Sequence, residues 1–333
     1  MNDTSTLYVV SSSPHAHSGA SVRRIMLDVI LALLPAFAVA CWFNGWDAVR
    51  LTTACILACV GTEYACRKAM GRDPGIQDLS AVVTGILLAF NLPPTLPTWI
   101  AVVGSVFAIA IAKQVFGGIG YNPFNPALAG RVMMLVSFPV QMTAWSSWNM
   151  PQPSGVHAVT QATPLGIVKT AVGGGQSIPF EFTPDLALRF FIGDMNGCIG
   201  EMSAAALLLG ALYLLLRRCI SWHTPVSYLG TVAVMATVLW KLAPATNMPP
   251  HFHLLTGGLM LGALFMATDM VTTPITGKGM ALFGVGCGVL TMVIRKWGGY
   301  PEGVSFAILL MNAVTPLINR MTRPRVFGVA KKK

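Results

Sequence analysis

Long apolar runs separated by short polar breaks dominate the chain. Runs close to the 17–25 residues that a helix needs to cross a bilayer fall near 25–43, 49–66, 76–92, 98–116, 126–141, 200–216, 225–241, 253–271, 279–294 and 303–319. The pattern predicts an all-α integral membrane protein with about ten transmembrane helices. The third run ends in AFNLPPTLP and the fifth opens with NPFNPALAG. Proline and glycine at those points predict broken or re-entrant half-helices that meet inside the protein.

Two stretches of the chain echo one another. VTGILLAF (83–90) resembles MLGALFMA (260–267), and FGGIGYNPFNPALAGRVM (116–133) more loosely resembles WGGYPEGVSFAILLMNAV (297–314), at offsets of 177 and 181 residues. Similar offsets point to duplication. Copies five spans apart run through the membrane in opposite senses, so two inverted five-helix repeats are expected, with the functional site near their interface. The resulting division is a single membrane domain over 1–333. Its parts are an N-terminal segment (1–22), a first repeat (23–141), a long loop (142–199), a second repeat (200–319) and a basic tail (320–333).

Composition agrees with this division. Hydrophobic residues make up 54% of the chain and charged residues only 10%, against about 25% charged in a soluble domain. The net charge of +10 does not indicate nucleic acid, because the basic residues lie between apolar segments without a basic stripe or interleaved aromatics. They report topology instead. With both termini in the cytoplasm, 16 of the 22 Lys and Arg fall inside or at inner helix ends, as the positive-inside rule requires. Arg295 and Lys296 are exceptions, which a misplaced ninth span would explain. On this topology 142–199 lies outside. The first apolar run lacks a clear cleavage site and reads as a retained span.

Candidate chemistry is sparse. The seven cysteines contain no CxxC pair and read as buried apolar residues rather than metal ligands or disulfides. Among acids at membrane depth (Asp28, Glu63, Asp78 and Asp269, with Asp194 and Glu201 near the outer surface), Asp28 and Asp78 read as helix-start residues or partners of Arg23, Arg24 or Arg72. Asp269, in MATDMVTTP, is the ion-path candidate, since a carboxylate there needs a partner, a proton or a cavity. Asn122 and Asn125 in GGIGYNPFNPALAG could contact a polar planar ligand, or Asn125 could simply cap the helix that Pro126 opens. His251 and His253 have no evident third ligand and, with His15, His17 and His223, read as surface residues. In the long loop, HAVTQATPLG (157–166) ends as a helix start, with Thr163 as N-cap and Pro164 at the first helical position. Thr163 has no positioned base nearby. His157 and Lys169 are each six residues away, and a threonine hydroxyl needs such a base to act as a nucleophile.

The motifs VRRIMLDVILALLP, QDLSAVVTGILLAFNLPP, FGGIGYNPFNPALAGRV, AVTQATPL, ATDMVTTPITGKG and GGYPEGVSFAILLMNAVTPLI occur in order over nearly the entire chain. The sequence resembles the family of membrane flavoprotein subunits shared by Rnf electron-transport complexes and the sodium-pumping NADH:quinone oxidoreductase. That resemblance gives Thr163 another role. In the family, the last threonine of an S/T-x-A-T motif is esterified to the phosphate of FMN by a separate flavin transferase. Here the motif is Thr160, Gln161, Ala162 and Thr163, so the resemblance implies covalent FMN at Thr163, with Thr160 helping to present the site. His157 stands where the family motif usually has an acid. The resemblance also implies a second, non-covalent flavin, riboflavin, for which Asn122 and Asn125 are the candidate contacts.

The implied protein is a multi-pass subunit of the bacterial inner membrane. It would work with the other Rnf subunits in coupling ferredoxin and NAD to Na+ or H+ movement, and would not be catalytic alone. No dinucleotide-binding strand–turn–helix context surrounds GGIGYN, so ferredoxin and NAD fall to partner subunits. The competing reading is a channel or secondary transporter built on the same inverted repeat without a redox role.

Overall fold

The computed structural model describes residues 21–73, 76–145, 162–178, 180 and 182–324. Among them every regular element is a helix. The first half holds α1 (Val22–Asn44), α2 (Trp46–Ala69), α3 (Ser80–Phe90), α4 (Thr98–Val106, continued as a π-helix over Phe107–Gln114) and α5 (Pro126–Ser137). Three short helices follow: α6 (Pro139–Met142), α7 (Pro164–Gly173) and α8 (Pro184–Ile192). The second half holds α9 (Ala204–Leu216), α10 (His223–Leu242), α11 (Pro250–Leu255), α12 (Leu259–Leu261, continued as a π-helix over Gly262–Met266), α13 (Gly277–Trp297) and α14 (Val304–Met321).

Each of the ten apolar runs coincides with helix. Five helices (α1, α2, α10, α13 and α14) are long and apolar enough to cross a membrane, and α3, α4 with its π-continuation, α5 and α9 are shorter apolar helices. This is an all-α, multi-pass membrane protein. The ninth run is the 21-residue α13, so Arg295 and Lys296 do not mark a misplaced span. They close the last turn of a real helix, where cations complement the helix dipole.

Small residues set the close contacts, as is usual where lipid supplies no hydrophobic drive between helices. A Cβ on Gly284 would sit 2.0 Å from Ser227 Oγ, and one on Gly288 would sit 2.7 Å from Thr231 Cβ. With the 2.6 Å bond between Tyr228 and Thr291, these contacts run α10 and α13 parallel. Asp28, at the start of α1, accepts from Tyr213 and Arg217 at the end of α9, while Asn44 at the other end of α1 reaches Met202 just before α9. That pair is antiparallel.

The halves share a distinctive detail. The short helix at the heart of the third apolar span of each half, α3 and α12 with its π-continuation, is buried along almost its entire length. Each is entered through a left-handed residue, Leu79 at φ 62° and Gly258 at φ 66°. The offset between them, 179 residues, lies between the two offsets of the sequence echoes. Their inner ends meet where Asn91, just past α3, lies 3.4 Å from Met266 Sδ.

Candidate functional site

Thr163 is the N-cap of α7. Its backbone is extended (φ −61°, ψ 153°), its hydroxyl oxygen accepts from Gly166 N–H at 3.2 Å, and Pro164 follows at the first helical position. Any side chain at Gly166 would crowd this hydroxyl, since a Cβ there would lie 3.2 Å from it. The residue is only 5% exposed, yet it lines a cavity of about 130 Å³ with Arg131, Trp145, Tyr300 and Glu302. A helix N-terminus and an arginine on one cavity are a phosphate-binding combination. Among the described residues the hydroxyl acts only as an acceptor, so a phosphoester at this position removes no hydrogen bond donated to any of them.

Arg131 is one of the 16 Lys and Arg that the predicted topology puts inside or at inner helix ends, yet it shares the cavity of Thr163 from the outer loop. In the fold it sits midway along α5, buried, donating to Asn91 Oδ1 at 3.1 Å and Ser305 Oγ at 2.7 Å and paired with Glu302. Cys198 donates to Asn91 O at 3.3 Å, and Glu201 accepts from Cys198 N–H. Cys198, Glu201 and Glu302 place their donor atoms within 4.8 Å of one another, the one such group among the described residues. Because the Arg131 guanidinium already contacts both Glu302 and Cys198, it opposes a metal cation there.

Asn122, Asn125 and Asp269 line one cavity of about 120 Å³, together with Lys113, Thr84 and Phe265. Sequence separation hides this meeting, because α12 and its π-continuation bring Asp269 back to the start of α5. The capping role open to Asn125 is the one it fills: its Oδ1 accepts from Ala127 N–H and Leu128 N–H, and its amide donates to Met266 O. Asn122 donates to Phe124 O at 3.0 Å, and its side-chain oxygen is the freer acceptor of the two for a ligand. Asp269 accepts from Val271 N–H and Thr272 Oγ1 and forms no ion pair among the described residues.

Asp28 and Asp78 are paired, though not with the arginines named from sequence. Asp28 binds Arg217, and Asp78 binds Arg67. Glu63, fully buried, accepts from Arg67, Lys113 and Gln114 at 3.0, 2.9 and 2.8 Å. All seven cysteines are free. His251 is exposed and stacks on Phe182, and His223 bonds Ser221. His253 departs from the surface reading. It is partly buried, its Nδ1 lacks a partner, and it lines a third cavity. Thr160 and His157 lie outside the described residues.

The described residues define a polytopic helical membrane protein whose cavities at the ends of broken helices set a few polar side chains among apolar ones. Residues 9–328 match the model of the NQR2, RnfD, RnfE family, and the chain belongs to that family. It is 48% identical over 324 residues to the D subunit of the Na+-translocating ferredoxin:NAD+ oxidoreductase complex of Acetobacterium woodii, covering 97% of this chain and 96% of that one. It is 45% identical over 328 residues to the D subunit of the proton-translocating ferredoxin:NAD+ oxidoreductase complex of Clostridium ljungdahlii, covering 98% and 97%. To the D subunit of the ion-translocating oxidoreductase complex of Salmonella paratyphi A it is 40% identical over 354 residues, covering 98% and 99%.

Proposed function

We propose that the chain is the D subunit of an Rnf-type ion-translocating ferredoxin:NAD oxidoreductase complex. In this reading it relays electrons across the inner membrane through FMN esterified to Thr163 and a second flavin, riboflavin, held at Asn122 and Asn125. The observation that carries the reading is the setting of Thr163, a hydroxyl at a helix N-terminus facing a cavity with Arg131. The helix dipole and the guanidinium would hold the phosphate, and Trp145 and Tyr300 offer aromatic surface to a planar ring.

A bound flavin supplies the redox chemistry; the chain's own work is positional. Gly166 leaves room at the Thr163 oxygen. Glu302 and Asn91 hold the Arg131 side chain in place, so that it faces the cavity without a rotamer search. Asn122 offers its side-chain oxygen in the second cavity, while Asn125 anchors the α5 end that forms the wall. Asp269 faces that same cavity, so a change of charge inside it alters the affinity of Asp269 for a proton or a cation. This is the route by which electron passage couples to Na+ or H+. The other Rnf subunits handle ferredoxin and NAD, and a flavin transferase loads Thr163 during maturation. Both termini face the cytoplasm and 142–199 the outside.

Mass spectrometry of the chain produced beside an active flavin transferase tests the assignment. The peptide containing Thr163 gains the mass of FMN less one water, and Thr163→Val abolishes the gain. An unmodified wild-type peptide, with no flavin fluorescence in the denatured band, would overturn the covalent site and favour a transporter without redox role.

A further inference from the structure

The third cavity, about 310 Å³, lies between α7, the C-terminal ends of α10 and α13, and α11. Apolar residues of α7, α10 and α13 line it beside Lys169, His253, Arg295 and Lys296, and among the described residues no carboxylate lines it. Each base is held by neutral groups. Lys169 donates to Ile294 O and Tyr300 O at 3.2 and 2.7 Å, and Lys296 to Asn247 Oδ1 at 2.6 Å. Arg295 donates to the carbonyls of His253, Thr256 and Gly257. An ammonium has three donors, so both lysines keep donors unspent. Arg295 Nε and His253 Nδ1 are buried without partners. Partial burial also holds the Lys169 ammonium below the usual lysine pKa range.

Charge of one sign gathered in low dielectric without a counter-charge is costly. The charges of Glu302 and Glu201 reach Arg295 through space, but among the described residues neither acid forms an ion pair with these bases; Glu302 pairs with Arg131. Among the described residues, then, the cavity lacks an anion. Its depth indicates which kind. Trp240 and Trp297, 40% and 66% exposed, stand beside the lining residues Leu239 and Lys296 at the ends of α10 and α13. Exposed tryptophans at helix ends mark headgroup level, where phosphates of one leaflet meet the first carbons of their acyl chains.

From this geometry we propose that the cavity binds an anionic phospholipid. Lys169 and Lys296 hold the phosphate together with Arg295, and the apolar lining residues take the start of an acyl chain. Basic pockets between membrane helices bind acidic headgroups in this way. The site is independent of the flavin assignments. It has a structural consequence, since Lys169 belongs to α7, so an occupant ties the Thr163-bearing helix to α13.

The test uses the full-length protein purified in its complex, stripped of lipid with detergent and returned to nanodiscs. Phosphatidylglycerol, phosphatidylcholine or inorganic phosphate is supplied separately. Native mass spectrometry counts retained lipid, and thermal unfolding reads stabilisation. Phosphatidylglycerol is retained and raises the unfolding midpoint; phosphatidylcholine does neither. Lys296→Gln lowers retention about fivefold and Lys169→Gln/Lys296→Gln further, whereas the charge-keeping Lys169→Arg/Lys296→Arg retains it, so a folding defect is told apart from lost binding. Equal retention of the two lipids, or full retention by the Gln pair, overturns the proposal. Stabilisation by inorganic phosphate alone, equal to that by phosphatidylglycerol, overturns the lipid as the occupant.

Discussion

The entrances to the two buried short helices share a backbone plan and differ in electrostatics. At α3, left-handed Leu79 follows Asp78, whose carboxylate accepts from Ser80 N–H and Oγ, and the nearby Lys113 is neutralised by Glu63. At α12, left-handed Gly258 follows Gly257, and the base in the equivalent surroundings, Arg295, meets only carbonyls. Lys113 belongs to the fourth helical span of the first half and Arg295 to the fourth of the second. Repetition of a helix plan therefore does not carry its charge pairing along. The acid-closed end is satisfied internally; the base-lined end has unspent donors and is suited to an anion from outside the chain.

The strongest way to break this contrast is Glu63→Ala. It strands buried Lys113, and chemical denaturation in mixed micelles should show a loss of about 3–5 kcal/mol. A loss below about 1 kcal/mol would mean that Lys113 finds another partner, and the two entrances would then be alike. Arg295→Met should cost less, about 1.5–3 kcal/mol, because it frees carbonyls and leaves no ion-pair partner behind. If Arg295→Met proved the costlier change, Arg295 would be acting as a counter-ion to Glu201, and the base-lined cavity would not lack an anion. The smallest effects fall on the left-handed residues. Gly258→Ala puts a Cβ 2.9 Å from Glu201 Oε2 at φ 66°, a cost of about 1–2 kcal/mol. Leu79→Gly should stay within about 1 kcal/mol of wild type, because relief of the left-handed strain and loss of the side chain oppose each other. Equal effects at the two sites would show that Glu201 yields to the new methyl group.

Much of this is legible in the sequence wherever the physics is local. Ala162-Thr163-Pro164 announces an N-cap because the hydroxyl's partner, Gly166 N–H, is three residues away. Asn125 before Pro126 does the same. His253 reads as a surface residue from sequence because the packing of α11 against α10 and α8 leaves no mark in HFH itself.

Apolar run length, by itself, determined the class of protein and the position of its helices, because the bilayer demands apolar length and each helix bonds its own backbone. The tertiary structure alone decided which polar residues share a site. Arg131 meets Glu302 across 171 residues, and Asn122, Asn125 and Asp269 line one cavity from opposite halves. Arg295 has carbonyls where Lys113 has Glu63, because pairing depends on which neighbour packing brings within a few ångströms, and helix periodicity does not encode that distance.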